Sequence, residues 1–193
     1  MPFALLLALA AIAAGDGAPT AGAYEGIAPA ANLVNLRVLN SQGVGRVSNV
    51  LAALDWLIAN KNAHNVRVVN MSLGTPAINS YEDDPICNAV RKLVNAGVVV
   101  VAAAGNKGKD DQGRKMYGAI DCPGNEPSAI TVGASNSFGS DARHEDSVAS
   151  YSSRGPTRSF SVDPYGLVSY DNIIKPDLVA PGNKIIAAQA VGN

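Results

Sequence analysis

Nucleophilic hydrolysis needs a hydroxyl or thiol within about 2.6–3.2 Å of a base, and this sequence of 193 residues offers few bases. His64 and His144 are the two histidines. His64 falls in the polar link Asn60 to Asn65 and reads as a solvated loop residue. His144 lies in Ser140-Asp-Ala-Arg-His-Glu-Asp146, a charged run in which serines are near in sequence but nothing fixes their geometry. Asp110-Asp111 reads as a solvated loop pair and not as a metal site. Cys87 and Cys122, the two cysteines, exclude a disulfide framework and leave one bridge or two free thiols open. Three short glycine-containing segments are more regular: Gly43-Val-Gly45, Ser72-Leu-Gly74 and Ala104-Gly-Asn106. Each comes after a branched apolar run, and glycine lets another backbone approach closely. Together they fit an extended chain or small ligand laid across the edge of a sheet.

The elements that must position these segments alternate. Leu33-Val-Asn-Leu-Arg-Val-Leu39 reads as a strand, and from Val47 the apolar residues Val50, Leu51, Leu54, Leu57 and Ile58 recur at helical spacing to about Asn60. Val66 to Met71 is the next strand. A second helix has clear punctuation, with Asp84 as N-cap, Pro85 at the first position, Ile86, Val90, Leu93 and Val94 on one face, and Gly97 at its end. Val98 to Ala103 reads as a strand buried on both faces, and Ala129 to Ala134 as a short one. Two consecutive strand–helix–strand units require a parallel sheet, so the expected class is α/β, with helices flanking the sheet. Asn136 to Asn172 is polar and is expected to hold loops; Lys184 to Ala188 is a last apolar stretch. In open parallel sheets ligands sit at the carboxyl ends of the strands, where the three glycine segments fall.

Composition bounds the function. With 47% hydrophobic and 16% charged residues the chain can build a core, and its length suits one domain. Fifteen basic against 16 acidic residues, without a basic stripe, argue against nucleic-acid binding. No apolar run reaches the roughly 18 residues of a membrane span. Pro2 to Ala14 is apolar without a break, but no Lys or Arg precedes it, so it reads as a buried helix and a signal peptide is doubtful. Secreted and cytoplasmic settings both stay open.

Five motifs occur in an order that resembles the subtilisin-like serine proteases, the subtilases: Gly26-Ile-Ala-Pro29, Met71-Ser-Leu-Gly74, Val101-Ala-Ala-Ala-Gly-Asn106, Tyr151-Ser-Ser-Arg-Gly-Pro156 and Lys175-Pro-Asp-Leu-Val-Ala-Pro-Gly182. The resemblance runs from about Gly15 to Gly182, and Tyr81-Glu-Asp-Asp-Pro-Ile-Cys87 and Pro123-Gly-Asn-Glu-Pro127 are similar to a bacterial branch. It implies a partial subtilisin-like fold and peptide-bond hydrolysis by a Ser–His–Asp triad. Residue by residue, it assigns Asn106 to the oxyanion hole. Ser72, Leu73 and Gly74 match one strand that pairs with substrate backbone, and Gly43, Val44 and Gly45 match the facing one. Ala103 and Gly105 match a wall of the pocket for the side chain before the scissile bond, with Pro123 and Gly124 as its floor, an open and mainly apolar pocket. Asp177 matches a weak cation site, with carbonyls around Gly124 to Ala129 as partners, so calcium is conceivable although no cofactor is required. The resemblance also makes Cys87 and Cys122 neighbours.

The departures matter equally. The sequence contains no Gly-Thr-Ser-Met, Asp-Thr-Gly, Asp-Ser-Gly or His-Gly-Thr-His, and registering the family's histidine helix on Ala10 to Gly17 puts Leu5 at the histidine's place. The expectation is therefore a truncated subtilase-like domain over residues 1–193, with the apolar helix 1–14 in place of the histidine helix. It is a serine endopeptidase by family but catalytically incomplete as given. The alternatives are a non-catalytic peptide-binding or scaffold module and a small esterase-like hydrolase using the retained oxyanion hole. Expected partners are a peptide or protein substrate and a second copy in a homodimer, with Met1 to Ala14 and the residues after Gly182 at the contact.

Overall fold

The computed structural model describes residues 9–187. The chain divides into two units: one holds, of its described residues, 9–53 and 184–187, and the other is Leu54–Asn183. Helix α1, Val47–Asn60, carries the chain from the first into the second.

In the first unit residues 9–14 are helical but half-buried to exposed and not buried as expected, with Ile12 39% exposed, and the chain folds back so that the amides of Gly26, Ile27 and Ala28 donate to the carbonyls of Gly15, Ile12 and Ala13. The strand expected at Leu33 to Leu39 does not form. That segment is extended, with a single bridge from Leu39 to Gly45, and Leu33 and Val34 are exposed. Its branched residues favour extended backbone, but a strand is stable only when a neighbour pairs its amides and carbonyls, and no described strand does. One of the two expected strand–helix–strand units is thus realised.

That unit belongs to Leu54–Asn183. Strands β1 (Val68–Met71), β3 (Val99–Ala103) and β5 (Ile130–Asn136) are parallel, with Met71 opposite Ala102 and Ala103 opposite Val132. Strand β9 (Leu178–Pro181) adds in parallel to β5, and β6 (Ser147–Val148) pairs antiparallel with it. Between β1 and β3 run β2 (Thr75–Pro76), which pairs with β4 (Asp121–Cys122), and helix α2 (Pro85–Asn95). Helix α2 starts where the sequence dictates. Asp84 Oδ1 accepts from the Ile86 and Cys87 amides at 2.8 and 3.1 Å, Pro85 needs no partner at the first turn, and Gly97 follows the end with φ +85°. Its apolar stripe, Ile86, Val90 and Leu93, is buried and packs with β3, whose Val100 and Ala102 are also buried.

The polar stretch after Asn136 contains an unexpected ribbon, β7 (Phe160–Val162) against β8 (Val168–Tyr170). Its turn is set by Asp163, whose Oδ1 accepts from the Tyr165 and Leu167 amides. Phe160, Val162, Val168 and Tyr170 alternate with Ser161 and Ser169, but three residues per strand are too few for periodicity to single them out. Among the described residues no helix is long and apolar enough to cross a membrane.

Candidate active site

Parallel pairing with Met71 opposite Ala102 delivers the segments after β1 and β3 to the same edge of the sheet. There Ser72, Leu73, Gly74, Ala103, Gly105, Asn106, Lys107 and Asp121 line an open cleft of about 250 Å³. Asn106 is exposed, and its carboxamide makes no hydrogen bond among the described residues. A donor left free at the mouth of a cleft can serve a charge that develops on a bound carbonyl oxygen.

The loop that presents Asn106 is held from two sides. Gly105 sits at φ +105°, a region side chains avoid, and a Cβ there would come within 2.5 Å of Asp121 Oδ2. The Lys107 amide donates to Ser153 Oγ at 3.0 Å, the Ser153 amide donates to the Gly105 carbonyl at 3.0 Å, and Arg154 Nη1 donates to the Gly108 carbonyl at 2.9 Å. The Tyr151-to-Pro156 motif thus acts as a brace for the Asn106 loop. Ser153 and Arg154 escaped assignment from sequence because their partners lie about 46 residues away.

Strand β4 supplies the cleft's charged floor. Asp121 donates its amide to the Ala104 carbonyl at 3.0 Å, and its Oδ1 lies 2.5 Å from Lys107 Nζ. Its side chain is 14% exposed against 44% for Lys107, so the carboxylate is the fixed member of the pair. Pro123 and Gly124, expected as the floor, are buried and do not line the cleft. Gly124 lies behind Ala103 instead, since a Cβ there would meet the Ala103 carbonyl at 2.7 Å. The small residues of the motifs make the opening, but an ion pair lines it. Lys107 and Asp121 were missed because neither position's residue type signals a cleft without the β2–β4 pairing that brings Asp121 there.

The remaining expected residues have partners of their own. Gly43, Val44 and Gly45 form an exposed turn in the first unit, closed by Asn40 Oδ1, which accepts from the Gln42 and Val44 amides at 2.9 and 3.0 Å. Asp177 Oδ2 accepts from the Thr131 amide at 2.6 Å and pairs with Lys175 Nζ at 2.7 Å. That ammonium is buried and also donates to the Ala129 carbonyl at 2.8 Å, so the cation shared by Asp177 and Ala129 here is Lys175. Burial opposes the Asp177 charge, but the Lys175 and Thr131 bonds outweigh it and hold the carboxyl below its ordinary value. His64 is exposed and stacks near Trp56, with ring centroids 5.2 Å apart; His144 is exposed, and neither lines the cleft. Asp110 is tied up in a turn by Arg114, whose side-chain bond, more than its amide, lowers the carboxyl's pKa, and Asp111 is exposed. Leu5, the start of the apolar helix 1–14, and residues 188–193 of the expected dimer contact lie outside the described residues.

Cys87 and Cys122 are free thiols, both fully buried, with sulfurs 3.7 Å apart. The adjoining Cys87 thiol, together with burial and the Asp84 carboxylate, pushes the Cys122 pKa far up.

Known proteins share the sequence and fold of this chain. A family model described as "Subtilase family" matches residues 7–193. The chain is similar to serine protease AprX of Bacillus subtilis (strain 168), 38% identical over 183 residues that cover 92% of this chain and 37% of that protein. It is also similar to subtilisin E of the same strain, 38% identical over 112 residues, covering 58% of this chain and 26% of that one. Among solved structures it superimposes on sphericase with a TM-score of 0.69, 31% identity and coverage of 94% of this chain and 53% of that one. For the S41 psychrophilic protease the TM-score is 0.67, with 31% identity over 90% and 50%. The chain thus spans about a third of AprX and about half of each solved structure.

Proposed function

The chain belongs to the subtilase family, and on that premise we propose that its cleft is the substrate-binding wall and oxyanion site of a subtilisin-like serine endopeptidase. The observation that carries the reading is the free carboxamide of Asn106 at the mouth of a cleft built by the segments after two parallel strands. A substrate peptide would lie extended along Ser72, Leu73 and Gly74 and pair with their backbone, as a strand added to a sheet edge. Its scissile carbonyl would then accept from Asn106. In hydrolysis that oxygen gains negative charge, so a fixed donor stabilises the transition state more than the substrate. In subtilisin, removing one such donor costs about 10²–10³-fold in turnover.

None of the 193 residues is assigned as nucleophile, base or orienting carboxylate, because the family's motifs for them do not occur in this sequence. Binding and an oxyanion hole alone leave about 10³–10⁴-fold over water in subtilisin, far below a working protease. The 193-residue chain is therefore expected to bind extended peptides and to leave casein uncut. Anisotropy of a fluorescent hexapeptide tests the binding. The reading expects saturable binding that is weakened by Gly74→Val, whose side chain would press on Asp121 and Cys122 of β4 (a Cβ would meet them at 3.1 and 3.2 Å) and so displace the segment against which the peptide pairs. Binding indifferent to Gly74→Val, or inhibitor-sensitive casein cleavage at an ordinary protease rate, would overturn it.

A further inference from the structure

The buried thiols stand apart from the cleft's chemistry, and their surroundings are specific. Cys87 lies in the first turn of α2 and Cys122 on β4, both 0% exposed. Each thiol faces one oxygen acceptor. Cys122 Sγ is 3.2 Å from Asp84 Oδ1, and Cys87 Sγ is 3.3 Å from Asn125 Oδ1. The donor atoms of Asp84, Cys87 and Cys122 all lie within 4.8 Å of one another.

Three of the six edges of a four-ligand site, the sulfur–sulfur edge and two sulfur–oxygen edges, are close to those of a tetrahedron. Zinc–sulfur bonds of about 2.3 Å at tetrahedral angles put two sulfurs about 3.8 Å apart, and oxygen at about 2.0–2.2 Å puts sulfur and oxygen about 3.5 Å apart. The observed sulfur separation is 3.7 Å, and the two sulfur–oxygen distances are a few tenths shorter, as hydrogen-bonded thiols require. A disulfide would use the pair differently. It would draw the sulfurs to about 2.05 Å and remove the S–H that serves Asn125 Oδ1. That amide oxygen is 0% exposed and has no other donor among the described residues, and a buried acceptor left without a donor is costly. Coordination uses the same oxygen, and the N-terminus of α2 lies beside the thiolates, where its dipole favours negative charge.

We propose that Asp84, Cys87, Cys122 and Asn125 form a structural site for a soft divalent cation of the zinc type. Binding replaces two S–H bonds by two metal–sulfur bonds and releases two protons per ion; nothing is oxidised or reduced. The ion would tie the start of α2 to β4, the strand that carries Asp121 into the cleft. Because both thiols are closed off from solvent, loading is expected during folding.

Refolding the full 193-residue chain with and without cadmium, followed by removal of free ion, tests this. The expected results are one ion per chain, a sulfur-to-cadmium charge-transfer band, release of two protons per ion bound and a raised Tm. Zinc should displace the band. Cys87→Ser and Cys122→Ser should each abolish it, while His144→Ala keeps it. Proton release and the band are read on the unmutated chain, so they decide even where a serine variant fails to fold. Soluble refolded chain without the band, a band that survives Cys87→Ser, or a native mass two hydrogens lower with both thiols unreactive after denaturation would each overturn the proposal, the last in favour of a disulfide.

Discussion

Asn106 is exposed and bonded to nothing among the described residues, so its contribution is to ligands and not to the fold. Asn106→Leu should change unfolding free energy by no more than about 0.5 kcal/mol, the usual range at such surface positions, as read from urea midpoints. Gly105 is the opposite case. At φ +105°, with Asp121 Oδ2 only 2.5 Å from the point a Cβ would occupy, Gly105→Ala should destabilise by about 1–3 kcal/mol; an unchanged urea midpoint would contradict that conformation. Asp177 makes a pH prediction. Its carboxyl is held below the ordinary value, so its contribution is fully present above about pH 3.9 and is lost as pH falls through the lower, folded value. Asp177→Asn should flatten the loss of stability in that acid window, measured by urea midpoints at successive pH values, and an identical pH profile would contradict it. At this scale the motifs singled out Asn106, Ser72 and Gly105, and all three line the cleft. Asp121, Lys107, Ser153 and Arg154 were not, because each acts through a partner distant in the chain.

Elements were legible where local signals agree. Helix α2 has a capping carboxylate, a proline at its first position, an apolar stripe and a terminating glycine, all pointing the same way. Strand β3 is a run of valine and alanine that was legible as a strand, but the expected burial on both faces is not met: Val100 and Ala102 are buried, whereas Val99 on the other face is 45% exposed. The segment Leu33 to Leu39 has equal local preference for extended backbone, but pairing is a tertiary property, and it stays without a strand partner among the described residues. The β7–β8 ribbon was missed because its strands are only three residues long, so their alternation does not stand out, and its turn is set by the side-chain bonds of Asp163. Packing between α2 and β3 yields a direct prediction. Leu93 is 0% exposed, and Leu93→Ala should cost about 2–5 kcal/mol; a smaller loss in denaturant midpoints would mean that α2 is not docked. Behind the same helix, Glu126 is buried at 1% exposure, with Arg91 Nη2 at 2.7 Å and Nε at 3.2 Å. Arg91→Met leaves that charge without its ion partner and should cost about 3 kcal/mol.

For the whole chain, the order of five motifs made the family legible, while the two-unit division and the charged lining of the cleft had to be seen in three dimensions. Strand β1 pairs only with β3 among the described strands, and Val68 on it is 60% exposed. An edge with free backbone groups and apolar side chains invites pairing with another chain. The 193-residue chain is therefore expected to self-associate at micromolar concentration, and sedimentation as a 19.7 kDa monomer that ignores dilution would contradict this. The cleft itself is tested most directly by nuclear magnetic resonance, titrating an extended peptide into isotope-labelled chain and following the Asn106 side-chain amide. The expected result is that this amide and the backbone amides of Gly74 and Gly105 shift together and saturate at one peptide per chain. An Asn106 amide that stays fixed while resonances elsewhere saturate would contradict the assignment of the cleft.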